Sequence, residues 1–322
     1  MARVALVCTF LFVVLCAAAG HENGCEAAGC SSGAAGDGGY FHYLGERHAT
    51  VPFIPAGVTA AGPATRSKGG SLIVAGATGA IGREVVCAAV ANANIRRVVA
   101  LSRRPIPASE WRSVFGAGLD ETAAATKLTV QAVDWNRMNL YYSPTSPAGR
   151  LDAAVQAAFQ GHDYAAMCMA TTKKDAGSAE AFRLCDLLYV EAFGKAVMAE
   201  SRGSIQHFVQ ISSAGASSTS WFLYLKTKGE ADDAIAAMGF PRLTILRPGL
   251  LDRGDKARFI EKVGMCVIGG LPVASAGAAT VLSLVDPATQ AKAFAAGASM
   301  PPGVFFLYDS QILAISPKPV KK

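Results

Sequence analysis

The chain has 322 residues, 51% of them hydrophobic and 17% charged, with a mean hydropathy of +0.30. That balance excludes disorder along the whole length and suits one large α/β domain, or a domain with a tail. The 30 Lys and Arg against 24 Asp and Glu leave +6, with no long run of one sign and no basic residues interleaved with aromatics. Nucleic acid is therefore not an expected partner.

Residues 1–20 carry one base, Arg3, then run apolar from Val4 to Ala19 and end in Ala17, Ala18, Ala19 and Gly20. This is the grammar of a secretory signal peptide or signal anchor, and the run falls short of the roughly 20 apolar residues that span a bilayer as a helix. The expected address is the secretory pathway or endomembrane, with a mitochondrial or plastid presequence as the alternative. Residues 21–70, as in GCEAAGCSSGAAGDGG, are rich in Gly and Ala without apolar periodicity and read as a flexible linker. Cys25 and Cys30 either close a small loop in an oxidising lumen or remain free thiols. Cys87, Cys168, Cys185 and Cys266 show no CxxC and no His at metal spacing, so they read as small buried apolar residues. No metal site is expected, and His207, on an expected strand, reads as structural.

From residue 71 the pattern changes. Residues 71–75 (SLIVA) are a short continuous apolar run, followed by a glycine-rich turn and a helical stretch at 83–93. The strand signal recurs at 97–101, 128–133, 164–170, 205–211 and 242–246, separated by helical patterns at 150–160, 179–199 and 221–238. Strands that are apolar throughout and alternate with helices predict a doubly wound parallel sheet, covered on both faces. The expectation for residues 71–322 is a Rossmann-like NAD(P)-binding α/β fold, with 251–322 as a small C-terminal, substrate-side extension.

Gly76-Ala77-Thr78-Gly79-Ala80-Ile81-Gly82 follows the first strand and opens the first helix, the context that a dinucleotide-binding turn requires. Gly76 permits the tight turn, Gly79 lets backbone N–H groups approach a pyrophosphate, and Gly82 lets helix and sheet pack closely. The spacing is GxxGxxG. Thr78, Ala80 and Ile81 complete the turn. An NAD-specific site would place a carboxylate at the end of the second strand, where this chain has Ser102, Arg103 and Arg104. A guanidinium there pairs with a 2′-phosphate, so NADPH/NADP is preferred over NAD. Asp134, ending the third strand, either accepts from the adenine amino group or caps the next helix.

Ser212 and Ser213 end the fifth strand, and Tyr224 and Lys228 follow at i and i+4 on one helical face. An ammonium beside a phenol lowers the phenol's pKa, so the Tyr can exchange a proton with a carbonyl or carbinol oxygen, and a strand-end Ser can hydrogen-bond the same oxygen.

Together these features resemble the short-chain dehydrogenase/reductase superfamily in its atypical branch. The closer resemblance, over about residues 72–315, is to the Tat-interacting oxidoreductase family. It is carried by QGHD (residues 160–163), ATT (170–172), the Ser212-Ser213 strand end, FLYLKTKGE (222–230) and RPG (247–249). The resemblance implies Tyr224 and Lys228 as a proton-relay pair, Ser212 or Ser213 as its serine, Ala170, Thr171 and Thr172 along the cofactor, and Pro248 and Gly249 beside the nicotinamide. The expected partner is a small carbonyl or alcohol substrate. The competing reading is an NADPH-binding regulator that acts through protein partners without significant turnover.

Overall fold

The computed structural model describes residues 69–143, 151–252, 270–286 and 303–316. The leader at 1–20, most of the linker at 21–70, Cys25, Cys30 and Cys266 lie outside the described residues.

Strands β1 (Gly70–Ala75), β2 (Ile95–Ser102), β3 (Leu128–Ala132), β4 (Tyr164–Met167), β5 (His207–Ile211) and β6 (Arg242–Leu246) fall where the apolar runs predict them. Two further strands, β7 (Leu251–Asp252) and β8 (Leu271–Pro272), make a separate short ladder, and β9 (Gly303–Leu307) follows. The main sheet is parallel throughout, in the order β3-β2-β1-β4-β5-β6-β9. β9 was not legible as a strand. It pairs with β6 from Arg242↔Gly303 to Leu246↔Leu307, so part of the C-terminal extension is the seventh strand of the sheet.

Alternation along the strands sorts side chains onto two faces. Leu72, Val74, Val98 and Ala100 pack against α1 (Ala80–Ala91), while Ile73, Ala75, Val99 and Leu101 pack on the other side against α2 (Trp135–Tyr142) and α3 (Tyr189–Ser201). The face packed against α3 also receives α4 (Leu223–Ala236), and α1's face receives α5 (Val273–Val285) and α6 (Asp309–Ile315). A Cβ on Gly277 of α5 would lie 2.5 Å from the Cβ of Glu84 on α1, so only glycine permits that helix contact. Helix starts are set by local acceptors: Asp120, Asp134, Asp152, Thr172 and Ser178 each cap a helix with a side-chain oxygen. The chain runs outward from β1 to β3, then returns to place β4 on β1's other side. This reversal opens a crevice above the carboxyl ends of β1 and β4.

The opposite edge of the sheet is pinned by the QGHD segment. Asp163 Oδ2 accepts from the Ser71 amide at 2.8 Å, and His162 Nε2 lies 2.7 Å from the Ala158 carbonyl oxygen. A carbonyl only accepts, so Nε2 carries the proton, and Nδ1 accepts from the Ser71 hydroxyl at 3.0 Å. His207 is buried as well, with Nε2 at 2.8 Å from Thr244 Oγ1 on β6. Cys87 and Cys168 are buried and Cys185 half-buried, and burial pushes their thiols up to about 11, 12 and 12.

Burial drives the His162 pKa from 6.5 down to about 4, and it drives His207 well below 6.5. A depressed histidine contributes stability that is complete above the unfolded value and is lost as pH falls from 6.5 toward about 4. For His162 the loss amounts to about 3 kcal/mol. Urea unfolding across that range is expected to show it. His162→Gln should be less stable at neutral pH, yet have a shallower acid limb than the parent, and equal limbs would refute the assignment.

Candidate functional site

The site begins with backbone geometry at the end of β1. Gly76 has φ +68, and a Cβ there would lie 2.5 Å from the Met169 amide nitrogen as the chain leaves β4. A Cβ on Gly82 would lie 2.1 Å from the Gly76 carbonyl oxygen. Only glycine at both positions lets α1 start directly off β1 and against the β4 exit. Gly79 is the N-cap of α1 and offers no side-chain acceptor, and the first turn, Ala80-Ile81-Gly82, contains no acid. Its amide groups and the positive end of the helix dipole are thus open to an anion beside exposed Thr78 and Gly79.

At the end of β2, Arg103 and Arg104 are exposed, and buried Ser102 donates its hydroxyl to the Arg104 carbonyl. The two arginines differ. Arg104 Nη1 lies 3.1 Å from the Glu110 carboxylate, whereas Arg103 makes no ion pair among the described residues. Asp134 is exposed and accepts from the Arg137 amide at 3.1 Å. Of its two readings, the structure displays the helix cap.

After β4, Ala170 is exposed, and the Thr171 amide donates to Asp186 Oδ2 at 2.8 Å. Thr172 caps the short helix Lys173–Ala176, its hydroxyl 2.8 Å from Asp175 Oδ2. Asp186 itself is fully buried in a single π-helical turn, Leu184–Leu188, which joins the helix Ala179–Arg183 to α3. Its Oδ1 lies 3.1 Å from Lys228 Nζ.

Tyr224 and Lys228 lie on α4, one turn apart. Tyr224 is 41% exposed and stacks on Phe182 with ring centroids 5.9 Å apart, whereas Lys228 is only 2% exposed. Burial by itself lowers the Lys228 pKa, but the Asp186 carboxylate, helped by Tyr224, outweighs it and holds the ammonium above its ordinary value. Next to Lys228, a Cβ on Gly229 would lie 2.2 Å from the Ser217 and Ser218 backbone, so glycine lets the loop after β5 pack on the helix.

The two serines have different partners. Ser212 is 5% exposed and donates its hydroxyl to Asp232 Oδ2 at 2.9 Å. Asp232 is fully buried and also takes Gln210 Nε2 at 2.7 Å, Arg247 Nε at 3.1 Å and Arg247 Nη2 at 2.9 Å. A carboxylate offers no proton in return, so the Ser212 proton is committed inward. Ser213 is half-buried, and its hydroxyl makes only a long 3.3 Å contact with the Ala214 carbonyl. The loop after β6 closes this side: Pro248 O accepts from the Ala214 amide at 2.9 Å, and the Gly249 amide donates to Asp309 Oδ1 at 3.0 Å.

The glycine turn, Ser102 to Arg104, Ala170 to Thr172, Ser212-Ser213 and Pro248-Gly249 thus lie at the carboxyl ends of their strands, whereas the QGHD segment lies at the opposite edge. Charged groups brace the carboxyl-edge segments: Asp186, Asp232, Arg247 and Asp309. For Asp186 a signal exists: an acid set among Leu184, Cys185, Leu187 and Leu188 is an acid facing a core. Asp232, in EADDAIA, reads as part of a solvated face.

No family model matches the chain. Among solved structures, the terminal R domain from the myxalamid PKS-NRPS biosynthetic pathway is similar, with a TM-score of 0.55 and 16% identity, covering 81% of this chain and 71% of that one. That likeness shows the Rossmann-like fold. Among curated proteins, FMP52 of Candida albicans, named as mitochondrial, is 31% identical over 182 residues, 56% of this chain and 67% of that protein. HTATIP2 of Rattus norvegicus is 30% identical over 204 residues, 63% of this chain. Because the match extends over 72% of the rat protein, the chain belongs to the family of HTATIP2, the Tat-interacting branch of the atypical short-chain dehydrogenase/reductases.

Proposed function

We propose that the chain is an NADPH-dependent oxidoreductase that interconverts a carbonyl and an alcohol by a Ser-Tyr-Lys proton relay. The observation that carries this reading is the pairing on α4 of an exposed Tyr224 with a buried Lys228, one turn away and held charged by Asp186. A regulator that only sensed NADPH would have no use for a proton relay.

The residues fit the cofactor. A cradle that a Cβ on Gly76 or Gly82 would fill, above an uncapped helix start, suits a pyrophosphate. Arg103, with no carboxylate partner among the described residues, suits the 2′-phosphate better than Arg104 does. Thr171, Thr172, Pro248 and Gly249 would border the nicotinamide, and Lys228 would also hold its ribose. When bound, NADPH supplies the hydride. In reduction, Tyr224 gives its hydroxyl proton to the carbonyl oxygen, and in oxidation it takes that proton back. The Lys228 ammonium stabilises the phenolate left between these events. Ser213, whose hydroxyl has no strong partner, donates to the reacting oxygen, while Ser212 orders the strand end through Asp232.

The mitochondrial name of FMP52 favours the organelle alternative for residues 1–20 over the secretory one. Imaging of the full chain tagged at its C-terminus is expected to place it with mitochondria, and an endoplasmic-reticulum pattern would restore the secretory reading.

NADPH oxidation against a panel of aldehydes, ketones and quinones tests the chemistry. Tyr224→Phe is expected to bind NADPH normally and to lose about 100-fold or more in kcat. A variant that keeps every NADPH-oxidising activity would overturn catalysis and leave the cofactor-sensing alternative. Ser213→Ala should lower kcat by about 100-fold. Ser212→Ala should instead cost about 1–3 kcal/mol of stability, with kcat nearly kept; the reverse pattern would exchange the two roles.

Cofactor choice is tested at the β2 end. Arg103→Ala is expected to weaken NADPH binding about tenfold and leave NADH binding unchanged, with a smaller effect from Arg104→Ala. Tighter binding of NADH than NADPH by the unmodified protein would refute the preference.

A further inference from the structure

We infer that Asp186 is a positioning residue of this relay: it is the buried counter-charge that seats Lys228 and ties it to the segment that leaves β4. The inference rests on the oxidoreductase reading above.

The geometry gives Asp186 two engagements in opposite directions. Oδ1 forms an ion pair with Lys228 Nζ at 3.1 Å, while Oδ2 accepts from the Thr171 amide at 2.8 Å. One carboxylate thus connects α4 to the backbone of the proposed nicotinamide segment. Both charged partners are almost wholly removed from water, at 0% and 2% exposed. The π turn at Leu184–Leu188 is the device that aims the acid, since such a turn takes in one residue more than an α turn and changes which side chain faces inward.

The surrounding charges show why this carboxylate matters to Lys228. From its own helix, Lys228 feels Tyr224 and Asp232, but Asp232 is already engaged by the Arg247 guanidinium. From the facing segment it meets Asp186 and the neighbouring Cys185, whose thiol burial keeps neutral, while Arg103 lies on the Cys185 side. Glu230, nearby on α4, is paired with Arg183. Asp186 is therefore the counter-charge whose removal leaves a buried ammonium uncompensated. Such an ammonium discharges as pH rises, and a neutral amine leaves no positive charge beside the Tyr224 hydroxyl.

Asp186→Asn is close to isosteric and keeps an oxygen for the Thr171 amide. With NADPH and menadione as the panel probe, the alkaline limb of its kcat–pH profile is expected to move down by about one unit or more, with the KM for menadione little changed. An unshifted profile with parental kcat would overturn the inference.

Urea unfolding provides a readout that needs no turnover. Asp186→Asn and Lys228→Met are each expected to destabilise, and the double variant to be more stable than either, because it leaves no unpaired charge. Losses that simply add, or a double variant no better than Asp186→Asn, would reduce Asp186 to a cap for Thr171 and overturn the inference. If the parent protein oxidises NADPH with no panel member, the proposed function falls, and the unfolding cycle alone still decides the role of Asp186.

Discussion

A carboxylate taken out of water has to be matched by donors and cations, and the carboxyl edge of this sheet is organised around two that are fully buried, Asp186 and Asp232. Asp232 gathers β5 and the loop after β6 by accepting from Gln210, Ser212 and Arg247. Asp186 gathers the exit of β4 and helix α4 by accepting from the Thr171 amide and pairing with Lys228. The exits of three strands and helix α4 are thereby held in fixed relation. Arg247 extends the first group to β9, since its guanidinium lies 4.3 Å above the Phe306 ring.

Glycine solves the complementary problem of backbone approach. The turn from β1 to α1 passes so close to the β4 exit that a methyl group at Gly76 would overlap the Met169 amide, and Gly229 does the same for the serine loop against α4. Close backbone contact and buried charge act together: the glycines bring the segments within reach, and the carboxylates then fix their register. Thr78, Gly79, Arg103, Ala170 and Tyr224 are among the residues that stay exposed at that edge.

Much of the fold was legible because its information is local. Apolar runs such as SLIVA and RLTIL read as buried strands, and Gly76 to Gly82 read as a phosphate turn from their place between a strand and a helix. The site was legible as residue types but less so as roles. Asp134 reads equally as adenine ligand or helix cap, and the cap becomes visible only where the Arg137 amide meets its carboxylate. Arg103 and Arg104 are equivalent neighbours until Glu110, six residues beyond Arg104, takes one of them. Ser212 and Ser213 cannot be told apart until Asp232, twenty residues beyond Ser212, claims one hydroxyl. GVFFL is short and isolated, and only its pairing with β6 makes it part of the sheet as β9.

The sequence by itself determined the alternation of strand and helix, the glycine turn after β1 and the spacing of Tyr224 and Lys228, because each depends on residues a few positions apart along the chain. Only the tertiary structure decided which serine gives its hydroxyl to a buried carboxylate, which arginine pairs with Glu110 and which acid lies beside Lys228. Those outcomes depend on which buried groups meet across the folded chain, as Asp186 and Lys228 do from forty-two positions apart, and no local pattern encodes such a meeting.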